Sequence, residues 1–203
     1  MSWKDVDKER FISQEERETV ESIADLPYFA YGSNLYNIQM SARCPDAKFI
    51  STGTLENYKL VFRKVADVTK KKNFEVPGVL YSMSKKDIYA LNRHEGFPHK
   101  YIIQTGLVRV GTNKYIEAFW YEIKNKRQHL SAEPSGLYFA KIASGYASNG
   151  LESTELFNSI RRAINAVNAR KRREALKQME LEAKYASITW SGDLGWFDDS
   201  KYW

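Results

Sequence analysis

The chain has 203 residues, of which 43% are hydrophobic and 14% aromatic, and its formal net charge is +6. That size suits one domain with extensions or two small domains, and that much apolar surface excludes wholesale disorder. No run reaches the roughly 18 apolar residues of a membrane span, and a single cysteine, Cys44, excludes an internal disulfide.

The first residues, MSWKDVDKER, are charged and lack an apolar signal segment. Together with the lone cysteine, this points to a reducing, cytoplasmic setting. His94, His99 and His129 show no metal-ligand spacing, so no metal site is expected. Charge is uneven along the chain, with acidic ends and a basic middle. An anionic ligand, nucleic acid, or pairing between the chain's own parts would each account for that.

In chain order, Ser13-Gln14-Glu15-Glu16 has capping-box form and opens a helix running to about Ala24. Residues 28–31 read as a strand, and 35–43 as a short helix stopped by Pro45. Residues 47–123 are rich in strand signals, at 58–63, 78–82, 101–110 and 115–123. One helix interrupts them, capped by Ser84 and given an apolar side by Ile88 and Leu91. Lys70-Lys71-Lys72 reads as a solvated loop. Residues 134–147 read as a helix opened by Pro134-Ser135, and 152–185 as one or two more. Strands in the middle with helices at both ends indicate an α+β fold.

Three stretches bear on chemistry. In Tyr31-Gly32-Ser33-Asn34-Leu35 an aromatic strand ends in a small polar corner. Ser33 or Asn34 can cap the next helix, so the corner is either a plain structural turn or a cradle for a carboxylate or an oxyanion. Glu95 falls at the end of the 84–95 helix, beside the helix-stopping Gly96. A carboxylate at the negative end of a helix has a raised pKa, partial burial would raise it further, and it can then serve as base and then acid, unless it is simply exposed there. Tyr101 and Tyr138 are either core residues or offer hydroxyls to a ligand.

Taken together, these stretches resemble the γ-glutamylcyclotransferase-like (AIG2-like) family. The resemblance runs from about Tyr28 to Ile160 and is carried by four blocks in order: FAYGSNL at 29–35, ARCPDAKFISTGTLENYKLVF at 42–62, PGVLYSMSKKDIYALNRHEGFPHKY at 77–101, and PSGLYFAKIASGYASNGL at 134–151. It implies an α+β domain built on a small mixed β-barrel with flanking helices; the chain adds N- and C-terminal helical extensions to it. The expected division of the chain is a helical arm at 1–27, the cyclotransferase-like domain at 28–158, and a basic helix with an aromatic tail at 159–203 that packs on the domain or a partner. The resemblance implies substrate binding through the backbone amides of Tyr31, Gly32, Ser33, Asn34 and Leu35, with Tyr101 and Tyr138 as pocket tyrosines, and a catalytic Glu95. The implied reaction cyclises the glutamyl group of a small γ-glutamyl amide to 5-oxoproline, releasing an amine or amino acid, with no cofactor and no metal.

Two departures from the family pattern stand out. Asn92 occupies a position where its enzymes often have Asp. The EGFPHKY block looks like the branch acting on γ-glutamyl amines, while the 134–151 block looks like the branch acting on γ-glutamyl amino acids. Outside the resemblance, Arg170-Lys171-Arg172-Arg173 sits on an amphipathic helix that packs on the domain or binds nucleic acid. The tail at 187–203 holds Trp190, Trp196 and Trp203 and is expected to dock on its own domain or on a second subunit, giving a homodimer. The competing function is a non-catalytic binding module that uses this helix and tail to recruit a protein or nucleic acid. A buried structural role is expected for Cys44.

Overall fold

The computed structural model describes residues 12–126 and 130–191. The tail from 192 onward, with Trp196 and Trp203, and the predicted docking of that tail lie outside the described residues. The chain divides into two compact units, Met1–Ile164 and Asn165–Trp203.

Among the described residues, the first unit begins with α1 (Gln14–Ile23). Ser13 caps it as expected, its Oγ accepting from Glu16 N–H at 3.1 Å. Val20 and Ile23 bury one face of this helix in the core. Strand β1 (Tyr28–Ala30) follows. Next comes a 3₁₀ turn at Ser33–Leu35, and only then α2 (Asn37–Arg43). The helix predicted over 35–43 is therefore broken at Tyr36, whose ψ of 107° is extended. The helical residues that follow the corner are a single tight turn, too short for a macrodipole.

Strands β2 (Lys48–Arg63) and β3 (Val65–Ser82) form a long antiparallel hairpin, turning at Lys64 with φ 70°. The predicted strands 58–63 and 78–82 are only their ends. The Lys70-Lys71-Lys72 run is exposed as expected, but it belongs to β3 and is not a loop. The charged residues of β2 and β3 are strand because the ladder runs on through them, pairing Glu56 with Glu75 and Tyr58 with Lys70; pairing overrides the weak intrinsic preference of Glu and Lys. Helix α3 (Lys85–Glu95) has the predicted Ser84 cap, and Gly96 ends it in the left-handed conformation at φ 73°. Strands β4 (Tyr101–Val110) and β5 (Lys114–Ile123) pair antiparallel throughout.

The five strands close a mixed barrel in the order β1-β3-β2-β4-β5. Closure is made where β5 returns to β1 in parallel, Phe119 opposite Tyr28. The last six residues of β5 are all buried, because the barrel interior covers one face and flanking elements the other. Gly78 is required by the close approach of β1: a Cβ there would lie 2.4 Å from Ala30 O and from Phe29 Cζ.

Helix α4 (Gly136–Ser148) is capped by Ser135 and packs on the 3₁₀ turn. Helix α5 (Thr154–Ser191) buries Leu156, Ser159 and Ala163 within the first unit. In the second unit, residues 171–184 are exposed on every face, Leu176, Met179 and Leu181 included. No helix among the described residues is long and apolar enough to cross a membrane.

Candidate active site

Glu95 stands on the last turn of α3, and its carboxylate meets the Asn34 side chain of the 3₁₀ turn at Ser33–Leu35. The turn's own first bonds run from Leu35 N–H to Gly32 C=O at 3.0 Å and from Tyr36 N–H to Ser33 C=O at 3.1 Å. The N–H groups of Ser33 and Asn34 precede those bonds and have no partner within the turn. Gly32 has a negative φ of −113°, so it does not serve as a left-handed turn residue. Its missing Cβ instead leaves space 3.4 Å from Ala66 Cβ and 3.8 Å from the Tyr138 hydroxyl.

The side chains of the corner are held from α2. Arg43 Nη1 donates to Asn34 Oδ1 at 2.6 Å and lies 3.9 Å from Glu95 Oε1. Gln39 Nε2 donates to Ser33 Oγ at 2.8 Å. Asn34 Nδ2 donates to the Tyr28 hydroxyl at 2.9 Å. Asn34 is thus held at both ends of its amide.

The Glu95 side chain is only 17% exposed. Burial raises its pKa above the ordinary glutamate value, and the Arg43 charge and the Asn34 amide pull it partly back. Burial, the second of the two causes expected from the sequence, is the main one. Glu95 also sits within electrostatic reach of Tyr28, Tyr101, Tyr121 and Tyr138, and its charge raises the pKa of each on top of their burial. The Tyr138 hydroxyl accepts from Ala66 N–H at 3.1 Å and also meets the Ser33 side chain. These contacts put a largely buried carboxylate, the main-chain N–H groups of Ser33 and Asn34, a guanidinium and a ring of tyrosines around one small volume.

Residues 28–140 match the family model described as "Gamma-glutamyl cyclotransferase, AIG2-like". The chain belongs to this family. It is 31% identical to the gamma-glutamylcyclotransferase of Bos taurus over 148 residues, covering 66% of this chain and 77% of the relative. It is 31% identical to that of Homo sapiens over 137 residues, covering 61% and 71%. A solved gamma-glutamyl cyclotransferase superposes with a TM-score of 0.58 at 29% identity, covering 62% of this chain and 80% of the other. A solved, uncharacterised protein from Homo sapiens gives 0.60 at 29% identity, covering 67% and 86%.

On this cyclotransferase fold, the site residues expected from the sequence divide into two groups. Gly32, Ser33, Asn34, Glu95, Tyr101 and Tyr138 come together. The side chains of Tyr31 and Leu35 turn inward, whereas the expectation concerned their main chain. The Tyr31 hydroxyl donates to Tyr121 C=O at 2.6 Å, and Leu35 is fully buried against α4, with its main-chain N–H taken by Gly32 C=O and its C=O by Asn149 Nδ2.

Sequence reasoning missed Arg43 and Gln39, whose role depends on how α2 folds back over the corner. It also missed Asp67, fully buried on β3. That carboxylate accepts from Ile123 N–H at 3.1 Å and from Arg63 Nε at 3.2 Å, and its charge reaches Tyr31 and Tyr101. Asn92, the departure noted above, is fully buried one helical turn before Glu95. Its Nδ2 donates to Glu16 Oε1 at 3.0 Å, and its Oδ1 accepts from the Tyr121 hydroxyl at 2.6 Å. Cys44 is buried as expected, and its thiol points at Asp87 C=O at 3.7 Å. Among the described residues, no three His, Cys, Asp or Glu side chains group as a metal ion would require.

Proposed function

We propose that Glu95 is the acid–base group with which this chain performs its family's reaction. The chain is an enzyme of the γ-glutamylcyclotransferase type, acting on a small γ-glutamyl substrate. In the reaction, the substrate's α-amine attacks its own γ-carbonyl carbon. A nitrogen–carbon bond forms and closes the five-membered ring, while Glu95 takes the amine proton. The old amide bond then breaks, and Glu95 returns the proton to the leaving nitrogen. The products are 5-oxoproline and a free amine or amino acid.

The observation that supports Glu95 is its burial beside the Ser33–Asn34 corner, which lifts its pKa toward the range useful for moving a proton near neutral pH. The N–H groups of Ser33 and Asn34 are the proposed oxyanion donors, each such donor being worth about 10²–10³ in rate. Tyr101 and Tyr138 are the proposed pocket walls, and they help fold the substrate into the attacking shape. The competing reading, a binding module that has lost catalysis, is not favoured by the family match.

The test is 5-oxoproline release from a panel of γ-glutamyl amino acids and γ-glutamyl amines, by wild type and Glu95→Gln. The expected outcome is turnover by wild type that falls about 10²-fold or more in the variant, with the fold intact. The preferred panel members identify the leaving side. Turnover that survives in Glu95→Gln sinks the assignment.

A further inference from the structure

We propose that Glu16, on the helix preceding the family-matched segment, is a positioning residue for the active site and acts through Asn92. This rests on the function proposed above. The matched segment begins at residue 28, so α1 lies wholly outside it.

Glu16 occupies the third position of α1, where a capping box would send its carboxylate back to the Ser13 N–H. Ser13 does its half, accepting from Glu16 N–H. The Glu16 carboxylate instead leaves its own helix and accepts from Asn92 Nδ2 at 3.0 Å.

Asn92 has the means to pass that constraint on. Its side chain is fully buried and used at both ends, with Glu16 on the nitrogen and the Tyr121 hydroxyl on the oxygen at 2.6 Å. An amide has distinct donor and acceptor ends, so the Glu16 carboxylate decides which way it points. The main chain of Asn92 matters as well. Its carbonyl accepts from Gly96 N–H and from Phe97 N–H, the bonds that end α3 just past Glu95.

On the far side of Asn92, the Tyr121 ring meets the Tyr28 ring edge-on at 5.9 Å. The Tyr28 hydroxyl accepts from Asn34, and Asn34 accepts from Arg43, which faces Glu95. Glu16 therefore anchors a network that reaches Glu95 by two routes, through the helix end and through the corner. A buried polar network of this kind holds its geometry only while every member is satisfied.

Glu16→Ala leaves the Asn92 amide nitrogen unpaired and free to turn over. The expected result is a fall of about tenfold in kcat with little change in KM, measured well below the melting temperature, because the reacting groups are displaced while binding surfaces remain. Glu16→Gln, whose carbonyl oxygen can still accept, restores most of the loss.

A swap of polarity gives a second test. Asn92→Asp places two acceptors face to face and lowers kcat. Adding Glu16→Gln restores it, since the new amide donates to Asp while Tyr121 still donates to the other oxygen. The control is Lys85→Ala, which breaks the exposed Lys85–Glu21 pair (2.5 Å) between the same two helices and should leave kcat unchanged.

The proposal is overturned if Glu16→Ala lowers only the melting temperature, if the swap gives no rescue, or if Lys85→Ala costs as much as Glu16→Ala. A wild type that releases no 5-oxoproline overturns the functional reading itself, and this proposal with it.

Discussion

Arg43 Nη1 lies 3.9 Å from Glu95 Oε1 while it donates to Asn34 at 2.6 Å. One guanidinium thus tunes the carboxylate and orients the corner. It opposes the burial that raises the Glu95 pKa, so its removal must push that pKa higher still. In Arg43→Gln the acid limb of the pH profile of kcat/KM should move to higher pH. The variant should also be less active across the range, since Asn34 loses its strongest partner. A limb that stays put or moves down would show that Arg43 does not act on Glu95.

Glu95 is held at a cost in stability. Its pKa in the folded state is raised above the unfolded value, so its favourable contribution is complete below the unfolded pKa, near 4.3 for a glutamate, and is lost as pH rises through the folded value. Glu95→Gln removes that loss. Its melting temperature should exceed that of wild type at pH 7, and the gap should close as pH falls below about 4. Thermal unfolding at several pH values checks this, and a gap that widens in acid would contradict it.

Gly145 lets α4 press against the back of the corner. A Cβ at Gly145 would lie 2.5 Å from Leu35 Cβ and 2.7 Å from the Leu35 carbonyl carbon. Asn149 Nδ2 donates to Leu35 C=O at 3.1 Å, tying the same helix to the same turn. Gly145→Ala should cost about 1–3 kcal/mol by overpacking and lower activity by displacing Ser33 and Asn34. Gly136→Ala, with open space at its Cβ, should do neither. Denaturant unfolding and turnover of the two variants provide the comparison.

Cys44 should be inert in the native protein. Burial, with the Asp87 charge adding to it and Arg43 opposing, pushes its thiol pKa up to about 12. A thiol reagent at pH 8 should label it only when denaturant is added. Rapid labelling of the folded protein would mean that the thiol is open to solvent.

Asn92 shows how a sequence reading and a structure meet. As one letter in a familiar block it is a departure from a pattern. In the fold it is the junction between α1, the end of α3 and β5. Arg43 is a stronger case, because nothing in its spacing from Asn34 or Glu95 marks it as their partner.

Local signals were enough where the cause was local. Ser84 and Gly96 bounded α3 and so put Glu95 at its end, because capping and left-handed termination depend on a few neighbouring residues. The Gly-Ser-Asn corner after an aromatic strand was legible for the same reason. The barrel's long hairpin was not, because residues 48–57 and 65–77 become strand through pairing with each other rather than through their own preference. The surroundings of Glu95 were decided by tertiary structure alone. Its burial, the approach of Arg43, and the inward turn of Tyr31 and Leu35 depend on residues far apart in the chain, and desolvation exists only once they are packed together.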